Sequence, residues 1–338
     1  MQRLYRIKTA RRKKSGELLT HESARLLDYS LTQPTSSPAA LVRGNMISGM
    51  EKLARRNFLR GAAGLLPLTA LAQNKMQGSH HLKNLGVQLY TVREILPKDP
   101  SGVLNQIQEI GYTEVEAIYA SLDLIWPSLQ KTKLKPVSIH LDSDLFGDDV
   151  KMQGALEKVA HHHFQYAVFP YLPENQRGGL DAIKRLAEKL NSAGEQGKKL
   201  GVHICYHNHA FEYQPMNGTT PLAALLENTD KDVVSLELDV FWASVAGHDP
   251  VELLKKYSGR IRLLHLKDKE KGLPVQYNEH VPPEAFKAVG KGSLDFPAIL
   301  RAAQAEGVKH YFVEQDHTPG NPIDSLRISY NYVHDLSF

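Results

Sequence analysis

Apolar residues from about position 84 onward fall into short runs, separated by stretches in which they recur every three or four positions. The runs LGVQLYTV (85–92), YTEVEAI (112–118), KPVSIHLD (135–142) and YAVFPY (166–171) predict buried strands. HICYHNHAFEY (203–213), SLELDVFWA (235–243), IRLLHLKD (261–268) and HYFVEQD (310–316) bring the series to eight. Helical spacing fills the gaps at 101–110, 121–132, 151–162, 178–199, 220–228, 249–257 and 295–306. Leu180, Ile183, Leu186 and Leu190 form one such stripe, and Gly111, Gly201, Gly259 and Gly307 mark helix ends or the turns before strands. Eight strand–helix pairs over about 250 residues predict an α/β protein, a closed (β/α)8 barrel in a single domain. The rival is a doubly wound sheet, which carries a glycine-rich phosphate loop after its first strand; GVQLYTVRE has none.

The front of the chain reads differently. RRNFLRG (55–61), followed by AAGLLPLTALA, resembles a Tat export signal, with Ala70-Leu71-Ala72 as the cleavage site. Its apolar run is short and interrupted by Pro67, so it predicts no membrane span. Residues 1–49 read as a disordered or non-native extension, since Met46 or Met50 would make an ordinary start. The expected organisation is then a signal over 50–72, a linker over 73–83 and the barrel over 84–338, with a periplasmic or otherwise exported product and the Tat machinery as a partner.

Charge and cysteine use narrow the function classes. The formal net charge of +4 comes from the front, where residues 1–72 hold 13 Lys and Arg against 4 Asp and Glu. The remainder carries 28 basic and 33 acidic residues, which is no footprint for a nucleic-acid partner. The lone Cys205 excludes an internal disulfide and a thiolate metal cluster, and its place in mid-strand predicts a buried apolar role. His161-His162-His163 reads as a solvated helix end.

The candidate chemistry lies where the last four strands end. Glu212, Asp239, His265 and Glu314 sit at or just beyond those C-terminal ends, the side on which ligands bind in α/β sheets. Taken singly, Asp239 is equally a helix cap and His265 equally a core histidine. Closure of a barrel brings consecutive strand ends together, and the set then predicts one divalent-metal site, for Mn, Mg, Co, Fe or Zn. Lys267 shares the face of His265, while His140, Gln88 and Glu116 occupy earlier strands and Trp242 follows Asp239. These five are the candidate substrate-binding residues, with Phe241 and Tyr90 as further candidates for an apolar platform under a ligand.

The motifs GVQLYTVRE, GYTEVEA, YHNHAFEY, LELDVFWA, HLKD, VGKGSLDFPAI and FVEQD together resemble the xylose isomerase-like barrels, a group of sugar phosphate isomerases and epimerases that includes inosose dehydratase. The resemblance covers about residues 84–336 and implies a metal held by Asp239, His265 and Glu314. For the first ligand, many relatives have Glu-Asn-His where this chain has His207-Asn208-His209. Either His207 replaces the carboxylate or Glu212 reaches the metal from the loop. Three carboxylates with one histidine suit a hard ion, so Glu212 is the expected fourth ligand. The implied activity is metal-dependent proton transfer next to a carbonyl of a sugar or cyclitol through an enediolate, with Glu314 and His209 or His207 moving the proton. Reprotonation gives isomerisation or epimerisation. Loss of a β-leaving group makes the same site a lyase or dehydratase. Weaker rivals are a periplasmic sugar-binding protein without catalysis and a hydrolase like an AP endonuclease.

Overall fold

Eight parallel strands pair into a closed barrel in the computed structural model, which describes residues 81–338. In chain order they are β1 (Gly86–Gln88), β2 (Glu114–Ile118), β3 (Lys135–His140), β4 (Tyr166–Phe169), β5 (His203–His207), β6 (Val234–Asp239), β7 (Ile261–Leu266) and β8 (His310–Val313). Each pairs with its chain neighbours, and β1 pairs with β8 to close the ring. The expected extension, signal, cleavage point and most of the linker lie outside the described residues. No described helix is long and apolar enough to cross a membrane.

The helices start where local chemistry lets them. Asp99, Thr220, Asp249, Asp295 and Asn321 each accept a backbone N–H with their side chains, ahead of helices Pro100–Ile110, Pro221–Asn228, Pro250–Lys256, Phe296–Ala305 and Pro322–Asp335. Every one of these five carries proline in its first two positions, where the missing N–H costs nothing. The last of them, and the short helix Val240–Val245, were not expected from the spacing. Seven of the eight predicted strands stop early, three of them by four residues or more. The first gives way to a 3-10 turn at Leu89–Val92, the fifth ends at His207, and the sixth ends at Asp239, which caps the next helix.

Parity along the strands decides what fills the barrel. Cys205, Leu263 and Phe312 stand two residues before His207, His265 and Glu314, so they share the inward face one layer lower. With Val137, Tyr166 and Val168 they form a separate buried apolar cluster beneath the site. The 269–292 excursion is tied down by Asp268. Its Oδ1 accepts from Ser293 N and Leu294 N at 3.0 and 3.2 Å, and its Oδ2 from Gly290 N and Gly292 N at 3.0 and 2.8 Å. Gly292 is required there, because a Cβ would collide with the Asp268 carboxylate.

Candidate metal centre and active site

His207, Asp239, His265 and Glu314 come together at the C-terminal ends of β5 to β8, with one ligand atom from each lying within 4.8 Å of the others. All four are buried. Asp239 serves two purposes. Its Oδ1 caps helix Val240–Val245 by accepting from Trp242 N at 3.0 Å, and its Oδ2 faces the cluster, 3.8 Å from His207 Nε2 and 4.0 Å from His265 Nδ1. Glu314 Oε2 lies 2.9 Å from the same His265 nitrogen. Asn208, at the end of β5, clamps the Asp239 peptide. It accepts from Asp239 N at 3.0 Å and donates to Asp239 O at 3.3 Å.

Glu212 is not part of this group, which corrects the expectation that it supplies the fourth ligand. Tyr206 alternates with Cys205 and His207 and so leaves β5 on its outer face. The chain turns through a 3-10 segment, Phe211–Tyr213, and Glu212 Oε1 accepts from Tyr206 OH at 2.7 Å while its Oε2 accepts from His209 N at 2.9 Å. The carboxylate is thereby held by the wall, and burial pushes its pKa up to about 8. His207 takes the position instead.

A second layer of buried carboxylates stands behind the imidazoles. Glu237 Oε2 lies 3.0 Å from His207 Nδ1 and 2.9 Å from His140 Nε2. Glu116 Oε2 lies 2.5 Å from His265 Nε2 and 3.2 Å from His140 Nε2. Ser138 Oγ donates to the other oxygen of Glu116 at 2.6 Å, and Gln88 Nε2 donates to Oε2 at 2.8 Å. Gln88 and Glu116, expected among the substrate-binding residues, are thus joined to each other and to the imidazoles by internal hydrogen bonds. Glu237 was missed from the sequence, although its place two residues before Asp239 puts it on the same inward face.

The donor set fits a divalent ion. Ligands at about 2.0–2.2 Å from one ion stand roughly 3–4 Å apart, the scale of the contacts above. His207 and His265 each turn one nitrogen to the cluster and the other to a carboxylate outside it, the arrangement that fixes a metal-binding imidazole. Burial holds His207 neutral, with its pKa well below the usual range. Burial also disfavours protonation of His265, but Glu237, Glu116 and Glu314 outweigh it and raise the pKa. A cation held there would take the place of that proton, as an imidazole ligand must be neutral.

The remaining expected residues line or brace the same end. Lys267 Nζ lies 3.0, 2.6 and 2.8 Å from Asp239, Glu314 and Asp316. Burial opposes ionisation of Glu314, yet Lys267 and His265 hold it well below the usual carboxylate range. His140 stacks on His265 with centroids 5.6 Å apart. Burial works against its charge, but Glu116 and Glu237 raise its pKa to about 9. His209 is fully buried, and neither ring nitrogen has a hydrogen-bond partner among the described residues. It lies against Trp242 (5.3 Å between centroids), Tyr171 and His207. The Nε1 of Trp242 likewise has no partner among the described residues. Phe241 stacks on Phe286 in the core, and Tyr90 lies under Arg93. Cys205 is buried, and His161 to His163 close helix Asp149–His161, with His163 at positive φ.

Barrel, strand-end cluster and backing carboxylates define a class. The chain belongs to the xylose isomerase-like TIM barrel family, whose model matches residues 146–331. Inosose dehydratase of Clostridium perfringens is 31% identical over 160 residues, 44% of this chain and 53% of that protein. The chain thus spans about half the length of the curated relatives it matches. Among solved structures, a sugar phosphate isomerase/epimerase from Parabacteroides distasonis is 26% identical with a TM-score of 0.62, covering 79% of this chain and 97% of that one. The IolI protein, solved with a bound zinc atom, shares the fold at 19% identity and a TM-score of 0.58, over 73% and 95% of the two chains.

Proposed function

We propose that the barrel is a divalent-metal-dependent enzyme that moves a proton beside a carbonyl of a sugar or cyclitol, with isomerisation or epimerisation as the outcome. One observation carries the reading: four strand ends bring two imidazoles and two carboxylates together, beside a buried His209 whose ring nitrogens have no partner among the described residues. His207, Asp239, His265 and Glu314 would hold the ion, and zinc in the IolI structure supports a metal of this kind. When bound, such an ion supplies Lewis-acid polarisation of substrate oxygens.

The chain's own residues do the rest. Lys267 and His265 keep Glu314 ionised and able to receive a proton. Burial keeps His209 neutral, so one ring nitrogen accepts and the other donates, matching a carbonyl and hydroxyl pair. Trp242 adds a donor at Nε1 and a ring face beside His209.

A second reading, elimination of water by the same residues, is favoured by the similarity to an inosose dehydratase. There Glu314, having taken the proton from carbon, would pass it to the departing hydroxyl, which leaves as water, while neutral His209 donates a hydrogen bond to that oxygen. Deuterium exchange in D2O with ketoses, inososes and 3-keto glucosides, followed by NMR, tests both. Exchange beside the carbonyl is expected, and His209→Gln should slow it by about 10²–10⁴-fold. Product formed without exchange discards proton abstraction. Sugar binding that survives chelation, with no turnover, identifies a binding protein instead.

We also propose export through the Tat machinery, supported by the twin arginine of RRNFLRG and the Ala70-Leu71-Ala72 site. Fractionation of cells expressing the chain with Arg55→Lys and Arg56→Lys should show the product retained inside. Unchanged export would discard this reading.

A further inference from the structure

Lys267 contacts the same two oxygens that face the imidazoles of the cluster. Its Nζ lies 3.0 Å from Asp239 Oδ2 and 2.6 Å from Glu314 Oε2. Asp239 has no second oxygen to offer, since Oδ1 caps the helix through Trp242 N. With its side chain 1% exposed, Lys267 has no solvent to retreat into. Its third partner is Asp316 Oδ1 at 2.8 Å, and Asp316 stands outside the cluster. An ammonium and a cation that draw on the same lone pairs oppose each other, both for those oxygens and through their like charge.

We propose that Lys267 sets how tightly the cluster binds its divalent cation, by competing for Asp239 Oδ2 and Glu314 Oε2, and that Asp316 tempers this by holding the ammonium to one side. The inference rests on reading His207, Asp239, His265 and Glu314 as the cation site. It assigns Lys267 to the cation rather than to a sugar oxygen, and makes it a positioning residue.

The proposal gives two variants opposite signs. Lys267→Met removes the competitor and should tighten Mn²⁺ and Zn²⁺ binding by about ten-fold or more. Asp316→Asn leaves the ammonium wholly on Asp239 and Glu314 and should weaken binding by about ten-fold. A lysine that merely scaffolds the carboxylates would loosen binding in both. Isothermal titration of the chelator-treated chain with each ion reads the affinities, and circular dichroism melting checks that each variant is folded. Opposite shifts support the proposal. Wild-type binding with Lys267→Met unchanged or weaker overturns it while leaving the cation site intact. If Lys267→Met does not fold, Lys267→Gln, which also removes the ammonium, decides: tighter binding supports the competition, and unchanged or weaker binding overturns it. Absence of wild-type binding removes the cation site itself and the proposal with it.

Discussion

Glu237 Oε2 lies 3.0 Å from His207 Nδ1, and this contact determines which nitrogen of His207 is left to face Asp239. Both residues are buried, so no water competes for the bond and the ring has one favoured orientation. Glu237→Gln removes the charge that holds the N–H. It should weaken divalent-metal binding by about 10–100-fold with the barrel still folded. Equilibrium dialysis against Zn²⁺ checks this, and unchanged affinity would show that Glu237 does not brace the site.

Asp239 separates capping from ligation. Asp239→Asn keeps an oxygen for Trp242 N, whereas Asp239→Ala removes it. Both should empty the metal site, but Ala should cost about 1 kcal/mol more stability than Asn. Metal content and denaturant melts of the two proteins give the comparison. Full metal retention in either would remove Asp239 from the ligand set.

Glu212 makes stability depend on pH. Its pKa, raised by burial from 4.5 to about 8, means the folded state keeps a proton that the unfolded chain has already lost. Its contribution is fully present below 4.5 and is lost as pH rises through about 8. Wild-type stability should therefore decline over that window, and Glu212→Gln should flatten the decline. Parallel slopes in denaturant titrations of the two proteins would count against it.

Gly292 tests the anchor of the excursion. Gly292→Ala forces a methyl group against the Asp268 carboxylate, which must give up part of its backbone cradle. A loss of about 1–3 kcal/mol is expected, with faster proteolysis between 270 and 292. Equal cleavage rates would show that the cradle does not hold this segment down.

Asp239, His265 and Glu314 were legible in the sequence for one reason. Each follows a short apolar run, and closing the barrel brings such ends together whatever the loops do. The choice between His207 and Glu212 was not legible in the same way. It turned on where β5 stops and on the 3-10 turn that hands Glu212 to Tyr206, neither of which the pattern YHNHAFEY specifies. Glu237 was passed over because one carboxylate inside an apolar run reads as part of a strand. Only the ring places it within reach of His140 from β3 and His207 from β5.

The sequence by itself determined the eight-fold alternation, the glycine-marked helix ends and the placing of His, Asp and Glu at the strand ends. These depend on neighbours three or four residues apart. Tertiary structure alone decided which fourth residue joins the group, that Glu116 and Glu237 brace its imidazoles, and that Lys267 shares its oxygens. Those relationships join residues as far apart as Glu116 and His265, and the energy of burying charge is set by the finished barrel rather than by any local segment.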